Sequence, residues 1–199
     1  MLKKTAIILI AFGLFFILYA GYSFYDYSKG SQKQLILAEN YVNSYKELRD
    51  SSSITKEKVE IFKADMAPKI GEIFATIEIP IIDLNLPIVE GVGMEQLKYG
   101  VGHEPTTWLP EEKNQVFLAG HNNTAFKQMG DIKKGDRIIL HLPYGSFEYE
   151  MVFSDIGHEA EVDRVRSLDH EQLVLMTCYP FYSFSDTDER YFIYANPVE

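Results

Sequence analysis

From Ala6 to Tyr25 the chain is apolar almost without interruption, and no formal charge follows Lys4 until Asp26. About 20 such residues are long enough to cross a bilayer as one helix. Tyr19, Tyr22, Phe24, Tyr25 and Tyr27 crowd the far end, as aromatic residues do at a membrane interface. A cleavable signal peptide is the competing reading, but Leu18 and Ala20 do not form a small-x-small cleavage site. The expected element is an uncleaved anchor. Lys3 and Lys4 direct its N-terminus to the cytoplasm, although Lys29 on the other flank weakens the asymmetry.

Beyond the anchor the pattern becomes periodic. Leu35, Ala38, Val42, Tyr45 and Leu48 fall on one face at three- and four-residue steps, which predicts a helix from about Lys33. Ser51-Ser52-Ser53 interrupts the stripe, and Val59, Phe62 and Met66 start a second one that ends before Pro68. This region reads as a helical stalk or an appendage packed on the main domain.

From Gly71 the period falls to two, with Ile73, Ala75, Ile77 and Ile79 alternating with mostly polar neighbours. Further strands are expected at 86–89, 99–103, 115–120, 136–142, 147–156, 172–177 and 190–195. Turn residues separate them, among them Gly91-Val92-Gly93, Pro105, Pro110 and Lys134-Gly135-Asp136. Tyr144-Gly145 between two strands reads as a hairpin. The fold class is therefore all-β: about eight short strands in a closed or nearly closed barrel with short helices.

Charge narrows the partners. The net charge of -10 over 199 residues leaves no basic stripe for phosphates, so no nucleic acid is expected. The chain has one cysteine, Cys178, at the end of the apolar run Leu173 to Thr177. Exported cysteines usually pair as disulfides, and this one has no partner in its own chain. It is a chance core residue or a nucleophile. A nucleophilic thiol needs a base or cation nearby and donors for the developing oxyanion. Two histidines end strands: His121 after Gly120, and His103 beside Glu104, which would hold it charged and suit it to binding. Arg190 starts the last strand and would either orient a substrate carbonyl or merely pair with Asp186, Asp188 and Glu189.

Leu118-Ala119-Gly120-His121, Leu175-Met176-Thr177-Cys178 and the late Arg190 resemble the three signatures of the sortase family. Thr76-Ile77-Glu78-Ile79-Pro80 resembles its first strand, and Gly100-Val101-Gly102-His103 the segment before its histidine strand. Val174 stands where the family usually has threonine. The resemblance spans about residues 71 to 197, and Cys178-Tyr179-Pro180-Phe181 with the short loop to Arg190 is most like class D.

The resemblance implies a cysteine transpeptidase with Cys178 as nucleophile, His121 as general acid and Arg190 as oxyanion or substrate-orienting group. It implies cleavage of a Leu-Pro-x-Thr-x signal after threonine and transfer of a surface protein to a cell-wall amine. Thr177, Tyr179 and His103 are the expected substrate contacts, with the Tyr179 amide as a candidate oxyanion donor. A water-using cysteine peptidase and a non-enzymatic peptide-binding barrel are the rival readings. The expected layout is a cytoplasmic N-terminus (1–5), an anchor (6–25), a helical stalk (26–69) and an extracellular catalytic barrel (70–199). No cofactor is expected. Calcium, which some family members bind, would need Glu111, Glu112, Glu159, Glu161 and Asp163 to converge.

Overall fold

The structure is a computed structural model that describes residues 2–51, 67–181 and 187–198. Helix α1 runs unbroken over Leu2–Ser51, so anchor and stripe are one continuous rod. The expected second stripe of Val59, Phe62 and Met66 lies outside the described residues, as does Asp186. The rod changes character where the charges begin. From Lys4 to Tyr25 every side chain is exposed. From Asp26 onward a buried or half-buried face recurs at 26–27, 30–31, 34–35, 38, 41–42 and 45, the period of a helix lying on a surface. Leu35, Ala38, Val42 and Tyr45 of the expected stripe lie on that face.

The surface is the barrel. Asp26 accepts a hydrogen bond from the Tyr99 hydroxyl at 3.0 Å, and Asn85 donates to Glu39 at 3.3 Å. Tyr41 packs against the barrel core. Gly30 lies under the Tyr99 ring, where any Cβ would collide. Glycine costs about 1 kcal/mol in a helix interior relative to alanine, and here the close approach requires it.

Eight strands close the barrel in the order β1-β2-β3-β4-β7-β8-β6-β5. They are β1 Ile73–Ile79, β2 Leu84–Glu90, β3 Val101–His103, β4 Gln115–Ala119, β5 Arg137–Leu142, β6 Gly145–His158, β7 Gln172–Cys178 and β8 Glu189–Pro197. A one-turn helix α2, Met94–Leu97, leads into β3. The pairs β2–β3 and β4–β7 are parallel and the others antiparallel. All eight expected strands are present. The hairpin closes with Leu142 paired to Gly145, so Pro143 and Tyr144 form its turn.

Side chains at alternate positions fill the interior: Ile77, Ile79, Val116, Leu118, Ile138, Leu140, Leu173, Leu175 and Ile193. A second, smaller cluster lies on the outer wall. Phe117, Val174, Phe192 and Tyr194 pack there with Val152, Val165 and Met176. Strands β4, β7 and β8 are therefore apolar on both faces, the sign of a wall covered from outside as well as inside.

Candidate active site

Register builds the site. Val174 pairs with Phe117 on one side and Tyr194 on the other, and Met176 pairs with Ala119 and Phe192. Two residues further, Cys178 pairs with Arg190. Gly120 donates its amide to the Met176 carbonyl at 3.1 Å, so the β4–β7 register continues past the end of the strand and sets His121 opposite Cys178. His121, Cys178 and Arg190 thus form one row across three neighbouring strands, on the outer face, with strand spacings of about 4.8 Å. Three motifs separated in sequence by tens of residues become one line of side chains.

The pairing type brings two of them closer. The Tyr179 amide donates to the Glu189 carbonyl at 3.0 Å. Tyr179 and Glu189 are then a hydrogen-bonded pair, and Cys178 with Arg190 a non-hydrogen-bonded pair, in which side chains approach more closely. The same bond corrects an expectation: the Tyr179 amide is spent on the sheet and is no free oxyanion donor. Tyr179 itself is half-buried, with its ring against Phe181 and Tyr191.

Arg190 is not an exposed edge charge. Its side chain is 16% exposed. Nη1 donates to the carbonyls of Thr187 and Glu189, and Nη2 to the Glu159 carboxylate. Among the described residues, Glu159, which follows β6, is the acid that pairs with Arg190. Nothing local in the sequence joins it to Arg190; only the β6–β8 pairing, with Gly157 opposite Arg190, brings them together.

His121 is half-buried, and burial lowers its pKa below the ordinary imidazole value. The neutral ring therefore prevails at neutral pH. Its loop is tied down: Asn122, itself buried, donates from Nδ2 to the Pro180 carbonyl at 2.9 Å. This bond couples the histidine loop to the segment after the cysteine. Sequence reading passed over Asn122, though its place next to His121 was a signal.

Two expected substrate contacts have other partners. Thr177 is 1% exposed, and its hydroxyl donates to the Gly120 carbonyl at 2.7 Å, bracing β7 against the end of β4. His103 is 3% exposed and lies against Phe74. Its partner is Glu90 across the β2–β3 pair, at 2.7 Å, and not the expected Glu104. Its Nε2 faces the Trp108 carbonyl at 3.1 Å, so that nitrogen carries a proton. His103 is a buried, bonded strand-end residue, away from the outer row.

Beside the row opens a groove of about 370 Å³. Phe117, Val165, Met176 and Phe192 supply apolar lining, while Arg190, Glu159, Glu161 and Arg164 are among its polar walls. Arg164 stacks over Phe192 and clamps Asp155 and Glu161. Two of the carboxylates considered for calcium face arginines. Glu159 binds Arg190, Glu161 binds Arg164, and the Glu111 amide meets Glu171 elsewhere. Among the described residues no three acidic, histidine or cysteine side chains gather as metal ligands would.

Such a row can perform nucleophilic acyl chemistry: a thiol, an imidazole able to take and return a proton, and a fixed cation. Residues 77–198 match the family model of the sortase domain. Sortase D of Bacillus subtilis is 34% identical over 200 residues, which cover 100% of both chains. The Clostridium perfringens Sortase D5 transpeptidase superimposes with a TM-score of 0.67 at 21% identity, over 85% of this chain and 98% of that one. A Clostridium perfringens sortase C, solved with a C-terminal cell wall sorting motif, gives a TM-score of 0.66 at 24% identity, over 82% and 98%. These two structures share the fold.

Proposed function

The chain belongs to the sortase family of cysteine transpeptidases, and from that premise we propose that it cleaves a Leu-Pro-x-Thr-x signal after threonine and passes the surface protein to a cell-wall amine. The observation that carries this reading is the row of His121, Cys178 and Arg190 at the end of an apolar groove. An extended peptide lying along the wall would set small apolar side chains on Met176 and Phe192, with its scissile carbonyl at Cys178. The sortase C bound to a sorting motif supports the substrate class.

The steps follow from the groups present. Neutral His121 takes the Cys178 proton, and sulfur attacks the threonine carbonyl. Arg190 donates to the oxyanion. The C–N bond breaks, and His121 returns the same proton to the departing amine, leaving a thioester. An incoming amine attacks that thioester, loses its proton through His121 and re-forms the Cys178 thiol. The apolar anchor, with Lys4 on its short side, supports a barrel held outside the membrane.

The test is mass-spectrometric trapping of the acyl-enzyme with a panel of sorting-signal peptides, followed by product analysis with and without added amine. A thioester on Cys178 that an amine converts to amide supports the reading. Hydrolysis alone, unaffected by amine, makes the chain a peptidase.

A further inference from the structure

Arg190 is held from three directions. Nη1 is fixed by two carbonyls of its own approach segment, Thr187 and Glu189. Nη2 is fixed by Glu159, just past the end of the neighbouring strand β6. A guanidinium has five N–H donors in a rigid plane. Three are engaged here, and two have no partner among the described residues. The group is locked in orientation and still able to donate.

Glu159 is held in turn. Its amide donates to the Asp188 carbonyl at 2.7 Å, so carboxylate and backbone grip the two sides of the same segment. The turn that presents it is closed by the Glu161 carboxylate, which accepts from the His158 amide at 3.0 Å. Arg164 clamps Glu161 in place and also bonds Asp155 and the Tyr194 hydroxyl. The chain of fixation runs from the outer wall through Arg164, Glu161 and the turn to Glu159, and ends on Arg190.

We propose that Glu159 is a positioning residue for Arg190: it holds the guanidinium plane so that the two remaining N–H groups face the carbonyl oxygen attacked by Cys178. The proposal rests on the catalytic reading of Arg190 above. A lone arginine has large rotamer freedom, and a charge-assisted bond to a fixed carboxylate restrains that freedom before substrate arrives. The ion pair partly neutralises the cation, but Arg190 keeps its charge, and preorganised direction outweighs net charge at an oxyanion. A surface pair that only tied two loops together would matter little, and its effect would fall on stability while acylation stayed unchanged.

The experiment is a double-mutant cycle on the full chain in detergent, with Glu159→Ala, Glu159→Gln, Arg190→Ala and Glu159→Ala/Arg190→Ala. Single-turnover acylation of Cys178 by a cleaved peptide is compared with its alkylation by iodoacetamide. Glu159→Ala should slow acylation about 10- to 100-fold, in kcat more than KM, with alkylation unchanged. Glu159→Gln keeps an acceptor at the same place and should recover most of the rate. Once Arg190 is alanine, removing Glu159 should cost nothing further. Independently of any peptide, rotation about the Arg190 Cζ–Nη2 bond should be slow in the parent, with separate Nη–H resonances, and faster in Glu159→Ala.

If Arg190→Ala is slow while Glu159→Ala acylates within two-fold of the parent, or the two losses multiply, the positioning role falls and the catalytic reading stands. If Arg190→Ala acylates normally, both fall. If no peptide acylates the parent, the Nη2 rotation decides: equally fast rotation in parent and Glu159→Ala overturns the proposal.

Discussion

Cys178 sits beside two residues of opposite demand. In the proposed reaction His121 takes its proton as a neutral ring, and Arg190 is aimed at the developing oxyanion. Replacing Cys178 by alanine should abolish amide formation and shift stability by no more than about 1–2 kcal/mol, since one sulfur atom of a half-buried side chain is lost; thermal melting and product analysis check both. Arg190→Lys should lower acylation by roughly 100- to 1,000-fold, because an ammonium lacks the planar fork of donors. A rate within a few-fold of the parent would make Arg190 a structural charge. His121 should titrate below the free-histidine value in an NMR titration, because burial disfavours the imidazolium. The sign for stability follows. The unfolded chain takes up this proton first, so the contribution is intact above the unfolded pKa of about 6.5 and is lost as pH falls through the lower folded value. A His121→Gln variant should lose less stability between pH 7 and 5 than the parent. His103 answers to a different test. Its bond to Glu90 is buried, so Glu90→Ala should cost about 3–5 kcal/mol by leaving the imidazole without its partner. Folded material should keep its acylation rate.

Helix α1 carries two functions in one element, and the boundary between them is set by burial. From Ala6 to Tyr25 its side chains are exposed and almost all apolar; from Asp26 it is a cover for the barrel. Ala38 is fully buried, Ser31 nearly so, and Tyr41 touches the core. Deleting residues 1–65 would therefore strip a packed face, not a free spacer. That truncation should melt several degrees below one that starts at residue 26, or aggregate, because burial of each apolar side chain contributes about 1.5–3 kcal/mol. Equal melting temperatures would mean that the helix adds nothing to the barrel. The stripe of Leu35, Ala38, Val42 and Tyr45 announced this face in the sequence; what it packs against was not written there.

At the scale of the whole molecule, the apolar part of α1 ends close to the loop that carries His121. Tyr27, just past the apolar run, lines the same cleft as Thr124 and Ala125, which follow His121 by three and four positions. The barrel is thus docked where the apolar run ends. With a single cysteine in the chain, an impermeant maleimide applied to intact cells should label Cys178 if the barrel faces outward, and should label nothing if it faces the cytoplasm.

The pattern along the chain determined the elements: an apolar rod, a helical stripe and eight short strands, each read from neighbours within a few residues. It also marked Cys178, His121 and Arg190, because the resemblance lay in short contiguous motifs. Only the tertiary structure decided which residues act together. The β4–β7–β8 register set the three on one row, and the β6–β8 pairing delivered Glu159 to Arg190. The β2–β3 pairing gave His103 to Glu90 and took it out of the site. The Tyr179 amide, an attractive donor by position in sequence, was claimed by the sheet. The reason is common to all four: a strand's periodicity says which face a side chain takes, while its partner across the ladder depends on a register that no local stretch contains.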